Sequence, residues 1–255
     1  GRGREAAASW PAGDVVSFWV SEDPQGPFKV WKKPQQDHMY VLGCDACEGR
    51  GSTGDNAVIQ VMDAQTWEQV AVWCDRVDPD EFARVLIDIY RWYNEAFVML
   101  EVQGGGQEVA RLIAQEGVWN RYRRREWDKV GSQFVLKWDW KTSSKSRPMM
   151  VASLRRAIRT RRLTLHCLDT ISELMDWTRL DTPRGGTKEG PASHDGHDDR
   201  VTALGLAVQG VQLDESRDEG DTGDGHDNVI AVSKGRWRQR ESQKTSSGDG
   251  WGTHW

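Results

Sequence analysis

The stretch Tyr40-Val-Leu-Gly-Cys-Asp45 has the pattern of a buried β-strand that ends at a carboxylate. Two further strands are expected at residues 57–62 and 70–74, joined by a turn near residues 63–66. Asp78, followed by a proline and two acidic residues, then predicts a helix start, because these residues suit the first turn of a helix. An antiparallel meander that runs into a helix is typical of a mixed sheet covered by helices.

The rest of the chain alternates between strands and helices. Phe97-Val-Met-Leu-Glu101 predicts a short strand, and the glycines at residues 104–106 precede a predicted helix. The later predicted elements are a strand at 119–122, a hairpin-like insert at 123–140, a helix from Pro148 to about Arg159, a strand at 163–166, a helix from Asp169 to Trp177, a loop at 181–196 and a helix from Asp198 to about Gln209. This order predicts an α/β protein of the ribonuclease H-like type, with its mixed central sheet flanked by helices.

Three domain segments are expected from the distribution of apolar residues. Residues 1–38 form a proline-broken leader, residues 39–210 form the ribonuclease H-like domain, and residues 211–255 form a flexible polar tail.

Three carboxylates stand where apolar runs meet loops. Asp45 and Glu101 close strands that lie side by side in a ribonuclease H-like sheet, and Asp198 opens the last helix. Carboxylates brought within a few ångström repel one another, so such a cluster usually needs a cation. The pattern favours a hard-metal site, although a turn-forming role for Asp45 and a capping role for Asp198 are plainer interpretations.

The neighbouring aspartates Asp198 and Asp199 are distinguished by helical spacing. Val201, Leu204 and Val208 would form an inward stripe, and Asp198 lies at its edge, while Asp199 points about 100° away. We therefore expect Asp198 to be the direct ligand and Asp199 to be an assisting or alternate ligand.

The charge distribution indicates a polyanionic partner. The formal net charge is −5, yet residues 111–162 contain 15 Lys and Arg against four Asp and Glu. A basic belt beside an acidic cluster suits a protein that holds a nucleic acid and cuts it with metal, although the belt has a simpler reading as solvated helix faces.

Four blocks together resemble the nuclease domain of the large terminase subunit of tailed bacteriophages. They are a Y-x-x-G-x-D-x-x-x-G strand (Tyr40, Gly43, Asp45, Gly49), a Y-N-x-A-x-x-x-x-E block (Tyr93, Asn94, Ala96, Glu101), a W-x-T and basic-proline stretch (Trp140, Thr142, Arg147, Pro148) and an H-D-D-x-V-x-A-L-x-x-A helix (His197 to Ala207). The resemblance covers about residues 28–210. Two positions depart from it, because Gln103 replaces a common asparagine and Asp139 a common glycine.

The resemblance implies a metal-dependent endonuclease that cuts concatemeric viral DNA by two-metal phosphodiester hydrolysis. Asp45, Glu101 and Asp198 would be catalytic and, with Asp199, would hold two Mg²⁺ or Mn²⁺ ions. His197 would orient a carboxylate, donate to phosphate or only cap the helix. The residues expected to bind double-stranded DNA are Arg121, Arg123, Arg124, Arg125, Lys141, Lys145 and Arg147.

The implied setting is the cytoplasm of an infected bacterial host. The portal and the small terminase subunit would be partners, and residues 1–38 would be the remnant of a connection to an ATPase domain, since no G-x-x-x-x-G-K-[ST] phosphate loop occurs in the chain. The alternatives are a junction resolvase or transposase of the same fold, and a non-catalytic docking module whose tail, with Arg236-Trp-Arg-Gln-Arg240, binds the portal or the small subunit.

Overall fold

The structure is a computed structural model, and it describes residues 6–7, 17–18, 25–49, 55–181, 187–192 and 197–218. The strands are β1 (Ala6–Ala7), β2 (Ser17–Phe18), β3 (Phe28–Val30), β4 (Tyr40–Asp45), β5 (Ala57–Asp63), β6 (Glu68–Asp75), β7 (Phe97–Leu100), β8 (Arg123–Asp128), β9 (Gln133–Trp138), β10 (Trp177–Asp181) and β11 (Thr187–Pro191). The helices are α1 (Pro79–Trp92), α2 (Gly106–Gln115), α3 (Ser146–Arg159), α4 (Leu168–Asp176) and α5 (Asp199–Asp218). Within these ranges, no helix has the length and apolar character needed to cross a bilayer.

A five-stranded sheet forms the centre of the fold, in the order β3-β6-β5-β4-β7. Strands β3 to β6 pair antiparallel, whereas β4 and β7 pair in parallel, with Cys44 opposite Leu100. All seven residues of β5 and all four of β7 are buried. A strand covered on both faces has no solvent side, which explains why these segments are nearly continuous apolar runs. The predicted α/β fold with a mixed sheet is confirmed.

Each face of the sheet supports its own core. On one face, Leu42 and Ile59 pack in a cluster with residues of α1 and α2 such as Leu86 and Ile113. On the other face, Val41 packs in a second cluster with residues of α3 and α5. Alternate residues of one strand therefore serve different cores, as the two-residue period of a strand requires.

Helix α5 lies directly against the sheet because glycines remove the side chains that would keep it away. A Cβ atom added at Gly43 of β4 would stand 2.0 Å from the carbonyl oxygen of Ala203 and 2.5 Å from the nitrogen of Ala207. A Cβ added at Gly210 would meet the side chains of Val41 and Met99 at 2.6 and 2.8 Å. The first turn of α5 is thereby held close to the end of β4.

The edge of the sheet beyond β7 is completed by isolated bridges. The Tyr122 N–H donates to the Val98 carbonyl, and the Trp140 N–H donates to the Leu100 carbonyl at 2.8 Å. Between these two points the chain leaves the sheet as the β8–β9 hairpin, which is the predicted insert.

Several elements differ from the sequence-based expectations. Strand β3 belongs to the central sheet although it precedes residue 39, and α5 continues past residue 210 to Asp218. Residues 177–181 pair antiparallel with residues 187–191, where mostly a loop was expected. Residues 201–211 of α5 are buried without interruption, so the expected single inward stripe is wrong for this helix. Most of the predicted tail, including residues 236–240, lies outside the described residues.

Candidate metal centre

Asp45 and Glu101 stand at the ends of adjacent parallel strands. The Glu101 N–H donates to the Cys44 carbonyl at 3.0 Å, which sets Glu101 beside Asp45. On the far side of Glu101, the Val102 N–H donates to the Trp140 carbonyl at 2.8 Å. Glu101 is only 8% exposed and Asp45 is half-buried. The parallel pairing therefore brings two acids to one edge of the sheet.

The adjacent aspartates lie at the N-terminus of α5. The Thr202 N–H donates to the Asp198 carbonyl at 2.8 Å, so Asp198 immediately precedes the first residue of the helix, Asp199. Acidic side chains are favoured at this end of a helix by its dipole. Because Gly43 admits α5 against β4, both aspartates approach the acids at the sheet edge.

Asp198 and Asp199 have different partners. An Arg147 guanidinium nitrogen, Nη2, donates to Asp198 Oδ2 at 2.7 Å, and both side chains are partly exposed. Asp199 is 8% exposed, and its Oδ2 accepts from the backbone N–H and the Nδ2 of Asn56 at 2.8 and 3.2 Å. Asp198 is thus paired with a protein cation, while neutral amides orient Asp199. The stripe that favoured Asp198 as direct ligand has no basis in a helix buried all round.

The surroundings of Asp45, Glu101 and Asp199 disfavour the ionised form of each carboxyl group. Burial, together with the charges of Glu101, Asp199, Asp198 and Asp55, raises the pKa of Asp45 well above its ordinary value. Burial also raises the pKa of Glu101, against the opposing effects of Thr142 and Arg147 and with the charge of Asp198 adding to the rise.

Burial raises the pKa of Asp199 as well, against the opposing hydrogen bonds from Asn56. Glu101 and Asp199 both disfavour the ionisation of Asp45, and three half-buried or buried carboxylates are a donor set that suits a hard divalent cation, so these residues fit Mg²⁺ or Mn²⁺.

A second group of potential ligands adjoins Asp199. Donor atoms of Asp55, His197 and Asp199 all lie within 4.8 Å of one another, and His197 Nδ1 is 3.8 Å from Asp199 Oδ2. Asp45 and Glu101 stand outside this trio. Asp55 and Asn56 were not identified from the sequence, because they follow a glycine-rich loop and carry no motif; only their position directly before a strong strand marked them.

A family model for the terminase RNaseH-like domain matches residues 42–210. The chain belongs to this family. It is also similar in fold to solved terminase nucleases, and the predicted recognition is confirmed.

One solved relative is the large terminase nuclease of thermophilic phage G20c with bound cobalt, at 20% identity and a TM-score of 0.60 over 73% of this chain and 89% of that one. The same nuclease with bound magnesium gives 19% identity and a TM-score of 0.60 over the same shares. The large terminase nuclease domain of Thermus phage P74-26 gives 20% identity and a TM-score of 0.55 over 80% of this chain and 91% of that one.

Not all cations of the basic belt of this terminase domain are exposed to solvent. Arg121 is 2% exposed, forms an ion pair with the buried Asp139 at 3.3 Å and donates to the Ala110 carbonyl. The expectation that Arg121 binds DNA is therefore wrong for this structure, because its guanidinium is enclosed. Arg124 is also largely covered, since it pairs with Glu126 and donates to the carbonyls of Trp138 and Asp139 at the end of β9.

The other predicted DNA-binding residues remain at the surface of the terminase domain. Lys141 and Lys145 are exposed, and Arg123 and Arg125 are partly exposed on the β8–β9 hairpin. Arg147 is partly exposed and lies between this surface and the carboxylates, through its contact with Asp198. The structure thus leaves several cations accessible to solvent, and one of them, Arg147, contacts the acidic cluster.

Proposed function

We propose that this terminase domain is a metal-dependent endodeoxyribonuclease that cuts concatemeric viral DNA during genome packaging. The observation that carries the proposal is the convergence of Asp45 and Glu101, at the ends of paired strands, with Asp199 of the helix packed on β4, whose charge raises the pKa of Asp45. Family membership and the shared fold support a nuclease role in a phage terminase.

Two Mg²⁺ or Mn²⁺ ions would be held by carboxylates. Asp45, Glu101 and Asp199 would be the residues that hold them, with Asp198 assisting. When bound, such ions lower the pKa of water and stabilise the leaving oxygen of a phosphodiester.

Other groups of the protein hold these carboxylates in position. Asn56 fixes the orientation of Asp199 through two hydrogen bonds, and the strand pairing fixes Glu101. His197, near Asp199 Oδ2, would orient that carboxylate or donate to a phosphate. No side-chain nucleophile is required, because the attacking group is water.

The substrate would be double-stranded DNA, bound through its phosphates by Arg123, Arg125, Lys141 and Lys145. Such contacts are independent of sequence and weaken as salt rises. Within a complete packaging motor in the cytoplasm of the infected host, the partners would be an ATPase domain of the same protein, the portal and the small terminase subunit.

The decisive experiment is nicking of supercoiled plasmid by the purified chain, with Mg²⁺ or Mn²⁺ and with EDTA. We expect cleavage that needs the metal and that falls at least about 100-fold in Asp45→Asn, which keeps the side-chain shape but removes its charge. The control is Asp80→Asn on the exposed face of α1, which should cleave like the unmodified chain. Full activity of Asp45→Asn, or cleavage in EDTA, would refute the proposal. A strong preference for four-way junctions over linear duplex would indicate a resolvase instead.

A further inference from the structure

The β8–β9 hairpin has two chemically different faces. Residues directly opposite each other in an antiparallel pair point to the same side of the ribbon. The pairs on one side are Arg123 with Trp138, Arg125 with Leu136 and Trp127 with Phe134. The pairs on the other side are Arg124 with Lys137, Glu126 with Val135 and Asp128 with Gln133.

The second side is a polar face whose charges satisfy one another. Glu126 accepts from Arg124 Nε at 3.1 Å and from Lys137 Nζ at 2.9 Å. Asp128 accepts from the backbone N–H groups of Val130 and Gly131 at the turn. These contacts account for the polar face within the hairpin itself.

The first side is an aromatic face that is open to solvent. Trp127, Phe134 and Leu136 are 51%, 56% and 45% exposed. Trp127 and Phe134 meet edge to face, with ring centroids 5.0 Å apart, and the face continues through Trp138 to the exposed Trp119. Cross-strand aromatic pairs stabilise a hairpin, but that role does not require rings that are half-exposed.

Arginines lie flat on this aromatic face. The Arg123 guanidinium carbon is 3.8 Å from the centroid of the Trp138 ring, and that of Arg125 is 4.8 Å from the centroid of Phe134. A guanidinium that lies on a ring has a second plane, and planar guanidinium groups stack with flat π-systems such as nucleic-acid bases.

We infer that the aromatic face of the hairpin binds unpaired DNA bases. Bases stack on aromatic rings and on guanidinium planes, while arginines draw in the phosphates, so one surface serves both parts of a single strand. Charge complementarity selects this occupant over a protein, because the strand pairs of the aromatic face carry Arg123 and Arg125 and no acidic residue. The inference rests on the proposed function, since it adds a site for the single-stranded segments that cutting and strand separation expose.

The test is fluorescence anisotropy of labelled oligonucleotides with the full chain in EDTA, where no cleavage occurs. The probes are a single strand, the same strand with abasic sites, and a blunt duplex of equal length. The stacking variant is Trp127→Leu with Phe134→Leu, which keeps apolar bulk but removes both π-systems. We expect its Kd for the single strand to rise roughly fivefold to 100-fold for each lost stack, with little change for the abasic strand.

A charge-matched comparison separates stacking from simple attraction. Arg125→Gln and Lys137→Gln each remove one cation, but only the first lies on the aromatic face. We expect Arg125→Gln to weaken single-strand binding several times more than Lys137→Gln. Far-UV circular dichroism and melting curves identify any variant that misfolds, and the single change Trp127→Leu then replaces the double one.

Three outcomes would overturn the inference. They are unchanged single-strand binding by the stacking variant, equal weakening of the abasic strand, and equal effects of the two glutamine variants. Plasmid nicking measured in parallel keeps the two proposals apart. Unchanged single-strand binding by the stacking variant, with metal-dependent nicking intact, refutes only the base-binding face, whereas single-strand binding without any nicking refutes only the nuclease.

Discussion

The Arg147 guanidinium lies 2.7 Å from a carboxylate oxygen of Asp198, so a protein cation balances one of the two adjacent aspartates at the start of α5. Asp199, by contrast, is oriented by the neutral amides of Asn56. A neutral donor positions a carboxylate without cancelling its charge, which leaves Asp199 better suited to a metal ion.

Exchange of the two aspartates for asparagine should therefore have unequal effects. We expect Asp199→Asn to raise the Mn²⁺ concentration for half-maximal plasmid nicking by about tenfold to 100-fold, and Asp198→Asn by clearly less. The measurement is a metal titration of nicking with each variant. The reverse order would restore Asp198 as the direct ligand.

The stability of the metal-free protein should fall as pH rises above the ordinary carboxyl range. The folded-state pKa values of Asp45, Glu101 and Asp199 are raised, so above about pH 4 the folded protein binds more protons than the unfolded chain. The loss continues until the pH passes the raised folded-state values. Saturating Mg²⁺ should reduce the decline, because it binds the ionised forms.

Asp45→Asn tests the origin of that decline. In EDTA, the free energy of unfolding of Asp45→Asn minus that of the unmodified chain should increase as pH rises from 4 to 8. The same difference for Asp80→Asn should not change. Urea unfolding at several pH values measures both. A constant difference across this range would show that Asp45 carries no such charge penalty.

Gly43→Ala should be strongly destabilising. Its new Cβ would stand 2.0 Å from the carbonyl oxygen of Ala203, and a backbone atom inside a packed helix cannot move aside cheaply. We expect a loss of about 3 kcal/mol or more in unfolding free energy. The folded fraction that remains should cleave poorly, since α5 would be displaced from β4.

A matched alanine substitution is available at Gly190, where an added Cβ meets nothing within 4 Å. Gly190→Ala should leave both the melting temperature and plasmid nicking close to those of the unmodified chain. Equal behaviour of the two alanine variants would mean that α5 does not depend on close contact at Gly43.

The buried pair of Arg121 and Asp139 should be fragile when only one partner is removed. Burial raises the pKa of Asp139 to about 6 even though Arg121 and Arg124 oppose the shift. Arg121→Met should cost about 3 to 5 kcal/mol, because it leaves a carboxylate buried without its partner. The loss should be larger at pH 8 than at pH 5, since the unpaired carboxyl is neutral at the lower pH.

Adding Asp139→Asn to Arg121→Met should restore part of that loss at pH 8. Asparagine suits the position, because residue 139 has a φ of 66° and asparagine tolerates the left-handed region. Urea unfolding of the single and double variants provides the comparison. A double variant less stable than Arg121→Met would contradict a charge-based origin of the effect.

The elements around the site were predictable because their residues follow the periods of buried strands and amphipathic helices. The strand ending at Asp45, the helix from Pro79 and the strand before Glu101 all lie close to their predicted bounds. A strand that is covered on both faces and ends at a carboxylate appears in the sequence as a short apolar run followed by an acidic residue, which is easy to recognise.

The features that the sequence did not predict depend mainly on contacts between segments that are distant in the chain. Arg121 appears as one cation among many in the sequence, and only the placement of Asp139 beneath it reveals that it is buried. The paired strands at 177–181 and 187–191 lack the alternation that strands usually show, so their composition favoured a loop. Asp55 became a candidate only because α5 packs beside the start of β5, which brings Asp55 close to His197 and Asp199. No local sequence pattern indicates that contact.

The burial of α5 also bears on how often the carboxylate site opens to solvent. Residues 201–211 are enclosed on every side, so their amides exchange with solvent only in rare, large openings of the domain. Asp199 is attached to that slowly opening segment and not to an independent loop. We therefore expect Asp199 to leave the site only when the domain itself opens, and not through local fluctuation of its helix.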